Sequence, residues 1–124
     1  AASVSLAHPE DTLRKLRRAL DLRGFRFVHI LAPCPTGWKS EPADGIELVR
    51  LAVRSGLFPV CEIFGGERLE VNVEPDFSKA ALASYFERQG RFGKVEIDLD
   101  HVAGAIERNW RRLRKLEAAA ATAG

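Results

Sequence analysis

The chain has no methionine at all and only two cysteines, Cys34 and Cys61, among its 124 residues. So few cysteines cannot form the dense disulfide framework of a small secreted domain. No apolar run approaches the roughly 20 residues that a membrane-spanning helix needs. The opening Ala-Ala-Ser-Val-Ser-Leu-Ala carries no basic leader of the secretory kind. Together these absences make the cytoplasm the expected location and a membrane partner unexpected. Net charge is also scarce: a formal +2 does not by itself imply a nucleic-acid partner. No internal repeat is visible. Because position 1 is not methionine and the first residues read as the inside of a strand, the chain is expected to be a piece of a longer one.

What is present is a globular composition, 46% hydrophobic and 29% charged. A single domain of this size buries roughly two-thirds of the surface its unfolded chain exposes. The chain is organised around Phe25-Arg-Phe-Val-His-Ile-Leu-Ala-Pro-Cys-Pro-Thr-Gly-Trp38. Phe25–Leu31 alternates two mostly apolar sets, the pattern of an interior parallel strand covered on both faces. Pro33 and Pro35 then restrict the backbone on either side of Cys34. They place it in a rigid, non-helical loop past the carboxyl end of that strand, where open α/β sheets bind their ligands.

Read in order, Val4 and Leu6 end a first strand. His8-Pro9-Glu10-Asp11 starts a helix, with proline at its first position and two carboxylates in its first turn. Leu13, Leu16 and Leu20 are expected to face the sheet, and Arg14, Lys15, Arg17 and Arg18 to face water. With the Phe25 strand this gives a βαβ unit. Asp44 is expected to cap a helix whose inner face is Ile46, Val49, Ala52 and Val53 and which Gly56 stops. Phe58–Phe64 and Leu69–Val73 form a hairpin about Gly65-Gly66, with Pro59 marking an edge strand or a strand start. A short helix follows from about Ser78 to Gln89, then a break at Gly90-Arg-Phe-Gly93. The last helix starts near Asp98 or Asp100, carries Leu99, Val102, Ile106, Trp110, Leu113 and Leu116 on one side, and is expected to fray in its alanine-rich tail.

Cys34 can be read two ways. Free cysteine is often a small buried hydrophobe, but packing alone does not require a proline-braced loop, whereas thiolate ligands of iron–sulfur clusters often sit in such loops beside proline. One cysteine holds no cluster alone, and without a Cys-x-x-Cys pair the remaining ligands must lie outside these residues. Thr36 and Gly37 could offer a hydroxyl and an amide to a phosphate or a cluster sulfur. Cys61 reads as structural, and a Cys34–Cys61 disulfide is not expected in the cytosol. His29 reads as a hydrogen-bonded core histidine in preference to a base, and His8 and His101 as surface or capping residues. The basic groups Arg14–Arg18 and Arg108, Arg111, Arg112, Arg114 and Lys115 read as solvated helix faces. Trp110, on the apolar stripe, is not placed for nucleic-acid stacking.

Ser5–Pro9, His29–Trp38, Gly45–Val53, Phe58–Ile63 and Tyr85–Phe92 together resemble the carboxy-terminal half of the β subunit of 2-oxoacid:ferredoxin oxidoreductases of the pyruvate synthase type. The Pro-Cys-Pro-Thr-Gly-Trp loop is the most specific element. The resemblance implies an α/β fold, the carboxy-terminal part of a thiamine-diphosphate-binding domain: a mostly parallel sheet with flanking helices, a hairpin and carboxy-terminal helices, all 124 residues forming one domain. It implies thiamine-diphosphate- and Mg2+-dependent oxidative decarboxylation of a pyruvate-like 2-oxo acid to acyl-CoA, with electrons leaving through iron–sulfur clusters to ferredoxin or a similar acceptor. It implies partner subunits of the α, γ and δ type and no nucleic acid. It also implies that Cys34, with Pro33, Pro35, Thr36 and Gly37 as its supporting loop, is one ligand of a four-iron four-sulfur cluster. No catalytic residue is expected in this segment. The thiamine and Mg2+ ligands are expected outside it, which would leave it inactive alone. The competing expectation is a non-catalytic α/β module whose basic helices dock a partner protein or nucleic acid.

Overall fold

A computed structural model describes residues 1–123. Four strands, β1 (Ala2–Ser5), β2 (Val28–Leu31), β3 (Val60–Phe64) and β4 (Arg68–Val73), form one sheet in the order β2-β1-β3-β4. The helices are α1 (Pro9–Asp21), a single turn α2 (Pro35–Trp38), α3 (Gly45–Arg54), α4 (Lys79–Glu87) and α5 (Leu99–Ala123). Short 3-10 turns, Pro42–Asp44 and Gly90–Phe92, precede α3 and follow α4.

The α/β class and the hairpin are as the sequence leads one to expect. The parallel character is met only in part: β1 and β2 run parallel, but β1–β3 and β3–β4 are antiparallel. The hairpin contributes two strands through local antiparallel pairing, with Gly65 and Gly66 both at positive φ and the Glu67 N–H bonding the Phe64 carbonyl at 3.1 Å. Pro59 stands just before β3, where no ladder donor is required.

Phe25–Leu31 is also not an interior strand here. Only Val28–Leu31 is strand, and among the described residues it pairs with β1 alone. The apolar alternation was real, but its cover is missing: Phe25 is 93% exposed, and Phe27 and Ile30 are exposed too.

Helix α1 is rotated relative to expectation, although Leu16 is half-buried and Arg17 exposed as expected. Lys15 is only 2% exposed, and its ammonium donates to the Ser3 carbonyl (2.9 Å) and lies 2.7 Å from Asp11 Oδ2. Arg14 and Arg18 reach buried Glu62 on β3 at 3.1 and 2.8 Å. Leu13 and Leu20 point outward, Leu20 being 78% exposed. A buried carboxylate on the sheet requires cationic partners, and this outweighs the leucine stripe in setting the helix's rotation.

The core lies on the other side of the molecule. Leu48, Leu51, Ala52, Ala81 and Tyr85 make one cluster; Leu82, Ile106 and Trp110 make a second. In α3, Val49, Ala52 and Val53 are buried as expected but Ile46 is exposed. Asp44 makes no side-chain cap and instead pairs with Arg88. Ser78 does cap α4, accepting from the Ala81 N–H at 3.1 Å. Trp110 donates its indole N–H to the Gly56 carbonyl at 2.7 Å, tying α5 to the end of α3. Helix α5 continues through the alanine-rich tail to Ala123, consistent with alanine's high helix propensity. No helix among the described residues is long and apolar enough to cross a membrane.

Candidate functional site

The site begins where β2 ends. Pro33 packs against the start of α3 so closely that a side-chain carbon on Gly45 would lie 3.0 Å from its ring. Cys34 follows in an extended conformation, φ −130° and ψ 89°. The expected non-helical loop is corrected in one respect: Pro35–Trp38 forms one helical turn, because Pro35 at its first position already has a helical φ. Cys34 itself stays outside the helix as its capping residue.

This conformation turns the cysteine sulfur back over its own turn. Sγ accepts the Gly37 N–H at 3.4 Å, while the Trp38 N–H bonds the Cys34 carbonyl at 2.8 Å. A Cβ on Gly37 would stand 3.2 Å from Sγ, so glycine leaves the sulfur its approach to the amide. The thiol is free and exposed. The contacted sulfur faces solvent, which leaves it open to a metal from outside the chain, and an amide hydrogen aimed at sulfur is the kind of contact that tunes a cluster ligand. Gly37 is thus brought to the sulfur, whereas Thr36 remains on the surface.

The donor set limits what the chain can do alone. Among the described residues no group of three or more His, Cys, Asp or Glu could hold a metal ion. Cys34 fits the role of one soft ligand to a group whose other ligands come from elsewhere. Cys61 does not share the site. It lies half-buried in β3, with its sulfur 3.7 Å from Ser3 Oγ, and that hydroxyl accepts the Cys61 N–H at 2.9 Å.

The histidines also stay apart from the sulfur. His29 is exposed on β2, edge-on to Phe58 with ring centroids 5.2 Å apart, and so is not the expected core histidine. His29 and Ile30 point to opposite faces of β2, and both are exposed. His8 stands at the start of α1, where burial lowers its pKa against the opposing pull of Asp11; its Nδ1 is buried without a partner. His101 lies in the first turn of α5, with its amide capped by Asp98 at 3.0 Å. Of the basic residues, Arg14 and Arg18 are paired with Glu62, Arg111 with Glu107, and Arg114 with Glu74 and Glu117. Pairing within the fold diminishes the field a polyanion would need.

Sequence reasoning read Gly90 only as part of a helix break and gave Gly45 no role of its own, whereas the turn is braced on both. A Cβ on Gly90 would lie 3.0 Å from the Lys39 carbonyl, and Lys39 itself sits at φ 52°. The signal for Gly90 was that helix break, and Gly45 stood only within the segment Gly45–Val53.

Fold and site thus define an α/β domain that presents one amide-contacted cysteine sulfur at the end of its parallel strand pair. No protein-family model matches the chain. It is 36% identical over 118 residues to ketoisovalerate oxidoreductase subunit VorB of Pyrococcus furiosus, covering 94% of this chain and 38% of the relative. It is 35% identical over 107 residues to pyruvate synthase subunit PorB of Methanocaldococcus jannaschii, covering 86% of this chain and 35% of the relative. PorB of Methanothermobacter marburgensis is 36% identical over 91 residues. By sequence the chain belongs with these 2-oxoacid:ferredoxin oxidoreductase β subunits, and it spans little more than a third of the length of the curated relatives it matches.

Proposed function

We propose that the chain is the carboxy-terminal part of the β subunit of a cytoplasmic 2-oxoacid:ferredoxin oxidoreductase, and that Cys34 is one ligand of a four-iron four-sulfur cluster there. The observation that carries this reading is the exposed Cys34 sulfur, turned onto the Gly37 amide at the carboxyl end of β2. In such an enzyme the cluster, when bound, takes up electrons singly from the thiamine-diphosphate- and Mg2+-dependent oxidative decarboxylation of a pyruvate-like 2-oxo acid to acyl-CoA and passes them toward ferredoxin.

The residues of this chain have specific tasks in that setting. The Cys34 thiolate supplies a soft, charged donor. The Gly37 N–H draws electron density from the sulfur and so favours the reduced state of what it binds. Pro33, wedged on Gly45, and Pro35 restrict the backbone so that little freedom is lost when the sulfur is engaged. The thiamine and Mg2+ ligands and the other cluster cysteines belong to the remainder of the subunit, and subunits of the α, γ and δ type complete the enzyme.

The test uses the full-length assembled enzyme. Cys34→Ser replaces a soft thiolate with a hard, poorly ionised hydroxyl. Iron stoichiometry should fall, 2-oxo-acid-dependent release of CO2 should begin and then stall, and reduction of ferredoxin should be lost. Full iron together with undiminished ferredoxin reduction in that variant would refute the assignment.

A further inference from the structure

Tyr85–Phe92 matches the family pattern but takes no part in the ligand reading. In the structure its side chains bond mostly to one another, and the unit so built meets the turn that carries Cys34 through the Gly90 N–H and the Arg91 guanidinium. Gln89 is 1% exposed and donates its side-chain amide to the Tyr85 carbonyl at 2.6 Å. Its Oε1 accepts the Arg91 Nε–H at 2.7 Å, and Arg91 Nη2 lies 3.3 Å from the Tyr85 hydroxyl. So held, the Arg91 guanidinium sits 4.8 Å from the Trp38 ring and 4.6 Å from the Phe92 ring. Next to it, the Gly90 N–H bonds the Lys39 carbonyl at 2.9 Å. Trp38 also meets Tyr85 edge-on at 6.2 Å, and its N–H is the one that bonds the Cys34 carbonyl.

The need for such bracing follows from length. A helix of four residues cannot sustain itself, since forming its first turn is unfavourable. The Pro35–Trp38 turn therefore keeps its shape only through what grips it: Pro33 on Gly45 at one end, Trp38 and Lys39 on the Gly90–Phe92 segment at the other. Arg91 is exposed, yet it engages two rings and two side chains. Its planar fork suits that arrangement in a way an ammonium does not.

We propose that Arg91 is a positioning residue for Cys34: clamped between Trp38 and Phe92, it fixes the turn that holds the sulfur toward its metal. This rests on the reading of Cys34 as a cluster ligand, and the two are separable in one assay. In the anaerobically purified full-length enzyme, iron release to a ferrous chelator is timed and the reduced-cluster paramagnetic resonance line shape is recorded for Arg91→Ala, Arg91→Lys, Trp38→Phe and Lys94→Ala. Arg91→Ala should release iron roughly 10-fold faster than wild type, the low end of what losing an outer-shell support costs a metal site, and should broaden the line while melting at the wild-type temperature. Arg91→Lys keeps the charge but not the planar stack and should stay nearer to Arg91→Ala. Lys94→Ala, altering an exposed neighbour, should match wild type. Wild-type iron release in Arg91→Ala overturns the proposal, as does full rescue by Arg91→Lys. If Arg91→Ala fails to fold, Trp38→Phe decides: faster release supports the clamp and unchanged release overturns it. Cys34→Ser in the same assay reports on the ligand reading alone, because full iron there removes the ligand whatever Arg91 does.

Discussion

The two sides of the sheet are finished to different degrees. On the hairpin side, α5 packs on β4, where Val71 meets the cluster of Leu82, Ile106 and Trp110, and even the outer edge of β4 is engaged, with the Val71 N–H donating to Glu117 Oε1 at 2.9 Å. On the other side, β2 has a partner on one flank only among the described residues, and Phe25, Phe27, Ile30, Leu13 and Leu20 meet solvent. The candidate ligand stands on this second, open side. The cluster of Leu82, Ile106 and Trp110 lies where the chain is self-sufficient, and the exposed Cys34 sulfur sits where it is not.

That contrast can be broken most forcefully at Trp110. Trp110→Ala in the 124-residue chain removes a buried aromatic and its bond to the Gly56 carbonyl. The expected loss is about 3–5 kcal/mol in chemical denaturation; a loss near zero would mean that the closed side is not where stability resides. Gly56→Ala should follow, at roughly 1–3 kcal/mol for forcing a side chain into a disfavoured backbone region. Gly56 has φ +82°, and a Cβ there would stand 2.9 Å from both Phe77 and the Trp110 indole nitrogen.

Glu117→Gln should cost less, about 1 kcal/mol for a half-exposed hydrogen-bond acceptor. Its carboxyl is held below the usual carboxylate range, foremost by the Val71 N–H and then by Arg114, against the opposing effect of burial. A depressed folded-state pKa contributes stability that is fully present above the unfolded value of about 4.3 and is lost as pH falls through the lower folded value. The acid limb of the stability profile should therefore flatten in Glu117→Gln, and an unchanged limb would show that the contact is not made in solution. The smallest effect belongs to the open side. Phe25→Ser should change the stability of the 124-residue chain by less than about 0.5 kcal/mol, as for an ordinary surface position. The same change in the full-length subunit should cost about 1–3 kcal/mol if the remainder of the subunit covers this face, and equal small effects in both would deny that cover.

Much of the closed side was legible in the sequence because its signals are local. Gly65-Gly66 specifies a tight turn, Ser78 a helix start, and Val102, Ile106 and Trp110 a helical stripe. The rotation of α1 was not legible, since it is decided by Glu62, nearly fifty residues away, whose buried carboxylate draws Arg14 and Arg18 inward. The edge position of β2 was misread for a related reason. Phe25, Phe27 and Ile30 are patterned for a cover that these residues do not supply. At the site, Pro-Cys-Pro pointed to Cys34 directly. The hydrogen bond from Gly37 needed the helical turn, and the bracing through Gly45, Gly90 and Arg91 needed tertiary contacts that spacing cannot reveal.

The most direct measurement compares the two cysteines. Reduced-cluster paramagnetic resonance of the full-length enzyme would be recorded for Cys34→Ser and Cys61→Ser side by side. Cys61 lies half-buried against Ser3, so its substitution should cost only packing and leave the signal intact. Cys34→Ser should abolish or shift the signal of one cluster. A full signal in Cys34→Ser with loss in Cys61→Ser would contradict the ligand assignment outright.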